Sequence, residues 1–112
     1  MQDTTPRELL QYVTARGKVP FRDWLRSLKD PVTRARIRVR LNRVRMGNLG
    51  DCKPVGEGLL ELRVPFGPGY RVYLTEAGPR SVLLLYGGEK RGQVRDIERA
   101  QEYWVDYRWR SR

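Results

Sequence analysis

Two arginines flank a tight turn in the segment Leu60-Glu61-Leu62-Arg63-Val64-Pro65-Phe66-Gly67-Pro68-Gly69-Tyr70-Arg71-Val72-Tyr73. The residues on either side of Gly67-Pro68-Gly69 read as two short strands joined by that turn. Arg63 and Arg71 then stand on neighbouring strands. Two guanidinium groups held in this way can take a phosphate from two sides. Arginine stays protonated, so the pair can hold charge and cannot serve as a base. Further on, Lys90 follows Gly87-Gly88-Glu89 just past a predicted strand. A lysine there can donate a proton if neighbouring arginines lower its pKa. Glu89 can accept a proton or pair with the arginines.

The rest of the composition narrows this chemistry. The chain has 112 residues with 23 Lys and Arg against 13 Asp and Glu, a net charge of +10, and no histidine. Without histidine, proton transfer near neutral pH falls to Lys, Tyr, Asp, Glu or the substrate itself. The single Cys52 excludes an internal disulfide and a cysteine zinc site, and it reads as a buried structural thiol. No clustered carboxylates have metal-ligand spacing, so neither metal nor other cofactor is expected. Residues 1–50 carry 12 basic and 4 acidic side chains, and Arg34 to Arg45 hold six arginines and no acid. Such a basic face suits a polyanion or an acidic protein partner. No apolar run reaches membrane-spanning length, and the first six residues lack the form of a signal peptide. A reducing, cytoplasmic setting is expected.

The chain reads as one domain, residues 1–112, without repeat or linker. Thr5, Pro6 and Glu8 have the form of a capping box with proline at the first helical position, which favours a helix over residues 6–15. Leu10, Tyr12 and Val13 equally suit a strand. Phe21, Trp24, Leu25 and Leu28 mark a helix over 20–28. Residues 34–41 alternate strictly, as in a strand. Yet Asp30-Pro31 starts a helix and Gly47 ends one, so the spacing predicts a helix over 31–46. Ile37, Leu41 and Val44 form one apolar stripe on it. Val32, Ala35, Val39 and Met46 form a second on the opposite side, which suits a helix held between a sheet and another helix. A turn at Gly47–Asp51 precedes antiparallel strands near 59–64, 70–75 and 80–86, the last apolar throughout. Gly87-Gly88 breaks the chain before a final helix from Gln93 to about Tyr107, and a basic tail runs from Arg108 to Arg112.

Gly67-Pro68-Gly69-Tyr70-Arg71-Val72-Tyr73, Leu84-Leu85, Gly87-Gly88-Glu89-Lys90, Gln93 and Asp96-Ile97 resemble the RelE/ParE toxin superfamily, and within it the HigB-like branch. Phe21, Trp24-Leu25, Leu28, Asp30, Arg40-Leu41 and Gly47-Asn48-Leu49-Gly50-Asp51 fit that branch in order and spacing. The likeness covers roughly residues 8–104. It implies an α+β domain in which a helical hairpin packs on a small antiparallel sheet, with a further helix at the C-terminus. Residues 8–14 would then be an edge strand rather than a helix. It implies a type II toxin neutralised by a cognate antitoxin, a small helix-turn-helix protein; by charge that partner should present an acidic surface. Many such toxins cut messenger RNA on the ribosome.

By the same resemblance, Arg71 takes the place of the catalytic arginine and Arg91 that of a second active-site arginine; the residues by themselves also let Arg71 simply pair with a carboxylate such as Glu61. Arg63 would clamp the same or the next phosphate. Lys53, Arg36, Arg40, Arg43 and Arg45 would grip RNA backbone, and Tyr107 or Trp109 could stack on a base. The sequence departs from RelE where that protein has two strand lysines, here Leu59 and Glu61, and where its last helix has a tyrosine, here Ile97. Lys53 is a candidate replacement. Two other readings stay open: a non-enzymatic inhibitor of DNA gyrase like ParE, and a plain nucleic-acid-binding module.

Overall fold

The computed structural model describes residues 5–111. Residues 1–4, part of the segment read for a signal peptide, and Arg112 of the basic tail lie outside them. The protein is an α+β fold: a five-stranded mixed sheet with a helical hairpin on one face and a long C-terminal helix on the other. In chain order the elements are β1 (Glu8–Gln11), α1 (Pro20–Ser27), α2 (Pro31–Arg45), β2 (Cys52–Pro54), β3 (Leu60–Val64), β4 (Tyr70–Gly78), β5 (Ser81–Glu89), a 3-10 turn (Lys90–Gly92) and α3 (Gln93–Arg110). The strands lie in the order β1-β5-β4-β3-β2. Among the described residues, no helix is long and apolar enough to cross a membrane.

The sheet is not purely antiparallel as expected. β1 runs parallel to β5, pairing Glu8 with Ser81 through Gln11 with Leu84. A parallel pair needs a long connection, and here the hairpin and three strands supply it. Thr5, Pro6 and Glu8 therefore start no helix: residues 8–11 have β5 available as a partner, and tertiary pairing overrides the capping signal. The remaining pairs are antiparallel. β2, too short and polar to read as a strand, exists because Cys52–Pro54 can pair with Leu60–Leu62.

Strand alternation divides the interior in two. Leu62, Val64, Val72, Val82 and Leu84 face the hairpin and meet Phe21, Leu25, Ile37, Leu41 and Val44. Leu59, Tyr73, Leu83 and Leu85 face α3 and meet Tyr12 and Ala100. With layers on both sides, β5 can be apolar throughout. Its pairing with β4 shifts between Tyr73 and Leu74, which leaves Leu85 as an extra residue. Gly87 and Gly88 do not break β5 but continue it. A Cβ on Gly87 would stand 2.2 Å from the Trp24 ring, and one on Gly88 would stand 1.9 Å from Asp96 Oδ2. Glycine occurs there because neighbours pack directly on the backbone.

The helical signals around α2 outweigh its alternation. Asp30 accepts from the Val32 N–H and from the Thr33 hydroxyl, each at 3.0 Å, and Pro31 opens the helix. Gly47, at φ 93°, turns the chain away after Met46. Ile37 and Val44 are fully buried and Leu41 nearly so. The second stripe is not held under another helix: Val32, Val39 and Met46 are 54%, 53% and 66% exposed.

α3 runs one turn past the predicted end. Tyr12 donates to Asp106 Oδ2 at 2.5 Å, Arg110 pairs with Asp106 at 2.8 Å, and the Arg110 guanidinium lies 5.8 Å from the Tyr12 ring centre. Burial, then the Asp106 contact, pushes the Tyr12 hydroxyl pKa up to about 12, so it remains a donor. These links fasten the last turn of α3 beside β1.

Candidate functional site

The Gly67-Pro68-Gly69 turn sets Arg63 and Arg71 directly opposite each other on β3 and β4. Gly67 and Gly69 adopt φ 58° and 86°, which a side chain would strain. The two arginines share the sheet face covered farther along by α3. Like charges so placed, with Cβ atoms about 5 Å apart, repel. Glu61 answers that repulsion. It is fully buried, and its Oε1 lies 3.5 Å from Arg71 Nε and 3.6 Å from Arg63 Nε. Gln93, at the start of α3, donates through Nε2 to Glu61 Oε2 at 2.5 Å.

The Nε contacts are too long for directional hydrogen bonds. Among the described residues, the buried side-chain polar atoms without a hydrogen-bond partner are Glu61 Oε1, Arg63 Nε, Arg71 Nε and Tyr73 OH. All four belong to this one patch, and Tyr73 is the strand partner of Glu61. Burial first, then the Glu61 and Asp96 carboxylates, raises the Tyr73 pKa, so its hydroxyl keeps its proton. Glu61 thus balances the charge of the two arginines without occupying their forks. The Arg71 side chain is 11% exposed and that of Arg63 35%.

Lys90 and Arg91 adjoin this pair. The Lys90 N–H donates to the Gly69 carbonyl at 2.8 Å, which fastens the 3-10 turn to the arginine turn. Glu89, Lys90 and Arg91 are exposed. An open groove of about 1020 Å³ runs beside them, lined by Trp24, Gly88, Lys90, Arg91, Gln93 and Asp96 among others. It lies next to the arginine pair rather than on it, linked through Gln93 and through Gly88, the strand partner of Arg71.

Burial raises the Asp96 pKa above its ordinary value of 3.8. The folded state therefore holds that proton more tightly, and stability falls as pH rises through the raised pKa. Asp96→Asn should accordingly raise the melting temperature at pH 7, with the gap closing as pH falls toward 3.8. Melting curves of both proteins across pH 3–8 check this; a constant gap would exclude the titration.

The other expected contacts are dispersed. Lys53 is exposed on edge strand β2, opposite Glu61 and on the same face. Arg36, Arg43 and Arg45 are exposed on α2, across the sheet from Arg71. Arg36 lies 4.8 Å from the Phe66 ring centre, at the arginine turn itself. Arg43 and Arg45 have no such link to it. Tyr107 packs against the α3-side core and stacks on Trp104, while Trp109 is 65% exposed. Both lie about 20 Å along α3 from Gln93, so they do not join the arginine pair.

Arg40 is not a nucleic-acid contact. Only 8% exposed, it donates through Nε to the Arg63 carbonyl at 3.3 Å, and through Nη2 to the Asp51 carbonyl at 3.1 Å and to the Leu49 carbonyl. Its length lets it reach between helix and sheet, where three carbonyls converge. Arg40→Met should cost about 2 kcal/mol, measurable by urea denaturation, by taking the donor from the Leu49 and Arg63 carbonyls, while the Asp51 carbonyl keeps the Arg63 N–H. A loss below about 0.5 kcal/mol would remove that role. Cys52 is half-buried against the hairpin-side core, and burial raises its thiol pKa, which disfavours the thiolate.

Gln93 and Tyr73 were not expected at the site. Gln93 was visible only as part of the resemblance. Tyr73 shares an apolar-looking strand, and only the pairing with Glu61 reveals its neighbour.

No family model matches the chain. An uncharacterized protein of Haemophilus influenzae is 44% identical over 81 residues, a stretch that covers 72% of this chain and 82% of that protein. At that identity and coverage, the chain belongs to the same family as the Haemophilus influenzae protein.

Proposed function

We propose that the protein is the toxin of a type II toxin–antitoxin pair, acting in the cytoplasm as a metal-free, ribosome-dependent endoribonuclease of messenger RNA. The observation that carries this reading is the patch around Glu61: two arginines, charge-balanced from below, with forks left uncommitted at an open edge. The ordered motifs that resemble the RelE/ParE superfamily support it. Arg71 and Arg63 bracket the scissile phosphate and hold the charge that grows in the transition state. Lys90 donates a proton to the leaving 5′-oxygen, and Arg91 and Lys53 hold neighbouring phosphates. Glu61 lies beneath the arginines, out of reach of a 2′-hydroxyl. That proton passes to the RNA itself or to exposed Glu89, the strand partner of Tyr70. The partners would be the ribosome with its message and an acidic helix-turn-helix antitoxin.

One observation favours a second reading. Leu59 and Glu61, where RelE has lysines, are both fully buried. A chain without those lysines could act as a non-enzymatic gyrase inhibitor instead. Induction from a tight promoter followed by primer extension separates the two. Codon-phased cuts in translated messages support the nuclease. Intact messages with accumulating double-strand DNA breaks support gyrase poisoning. Growth without arrest would overturn the toxin reading.

A further inference from the structure

The outer face of α2 carries an apolar stripe that nothing in the described fold covers. Val32, Ala35, Val39 and Met46 follow the helical period on the side opposite Ile37, Leu41 and Val44. Pro31, Val32, Ala35, Arg36 and Val39 line a shallow depression of about 510 Å³ there. By the same period Arg36 and Arg43 flank the stripe on one side, and Arg34, Arg38 and Arg45 on the other. α2 has no acidic residue. A helix with two apolar stripes is built to lie between two layers, and the chain supplies only one of them.

We infer that this face seats an amphipathic helix of another protein, apolar along its centre and acidic on both flanks. The charge selects that occupant. A second copy of this chain would set arginine against arginine across the seam. A nucleic acid would use the arginines but has no use for exposed valines. The face lies across the sheet from Arg63 and Arg71, so the inference stands whether or not that pair cleaves RNA.

The probe is a helical peptide of about 20 residues, long enough to hold helix in water, with leucines along one face and glutamates on both flanks. A control peptide carries serines in place of the leucines. Fluorescence anisotropy reads binding to the wild-type chain and to Val32→Ser/Val39→Ser, whose circular dichroism and melting temperature confirm folding. Ala35→Arg, which fills the middle of the stripe, is the second variant. The inference expects the leucine peptide to bind wild type and to lose about tenfold or more in affinity with either variant and in the serine control. A single-stranded RNA oligonucleotide should bind wild type and the serine variant alike, since that variant leaves the charge unchanged. Equal binding of the two peptides, no binding, or RNA affinity that falls with the valines would overturn it. So would a wild-type dimer in light scattering that the variants convert to monomer, since a second copy would then own the face.

Discussion

Arg71→Ala should lower message cleavage on programmed ribosomes by about 10²–10³-fold, the usual cost of removing one preorganised donor to a developing negative charge. Arg71 is the better placed of the pair. It sits over the arginine turn, is nearly enclosed, and pairs across the sheet with Gly88 at the edge of the groove. Arg71→Lys should recover little, because a point charge cannot reproduce the planar fork. The Ala variant also leaves Glu61 with Arg63 alone, so its melting temperature will fall. Rates must therefore be compared well below that temperature, on protein whose circular dichroism matches wild type. In cells, the variant should relieve growth arrest. Undiminished killing by a folded Arg71→Ala chain would remove Arg71 from the site.

Glu61→Ala should destabilise the fold by about 3 kcal/mol, because it leaves two facing guanidinium groups with no counter-charge. The figure stays near the lower end for a buried ion network since the Arg63 side chain is 35% exposed and water screens part of its charge. Glu61→Gln keeps the shape and loses the charge, so it should fall between Ala and wild type. Inorganic phosphate supplies the sharper test. An anion seated between the arginines replaces the missing charge, so phosphate should raise the melting temperature of Glu61→Ala more than that of wild type. Equal responses to phosphate, or a loss below about 0.5 kcal/mol in urea, would show that Glu61 does not hold the pair together.

Much of this was legible because it depends on neighbours in sequence. Asp30-Pro31 caps and opens α2 using atoms within three residues. The Gly67-Pro68-Gly69 turn has only a few ways to close and puts Arg63 and Arg71 on neighbouring strands; the pairing of β3 with β4 then sets them opposite each other. What failed to read depends on distant partners. The Thr5, Pro6, Glu8 signal would start a helix in isolation; the edge strand that the resemblance implied there forms, over residues 8–11, because β5 offers them a sheet edge. Gly87-Gly88 looks like a chain break until Trp24 and Asp96 are seen resting on it. Arg40 looks like its exposed neighbours on α2, and only the fold shows three carbonyls within its reach. The second stripe on α2 is legible as apolar, but only the fold shows that no other helix among the described residues covers it.

The sequence by itself determined the pieces whose energy is local: the α2 cap, the arginine turn, the apolar β5, and a basic charge without histidine that limits proton transfer to other groups. Glu61 was legible as a partner for Arg71; tertiary structure decided that it is buried and meets both arginines at once. Coulomb interactions and burial act through space, so Glu61 became the buried counter-charge of Arg63 and Arg71 only when β3 and β4 paired and α3 brought Gln93 down onto it.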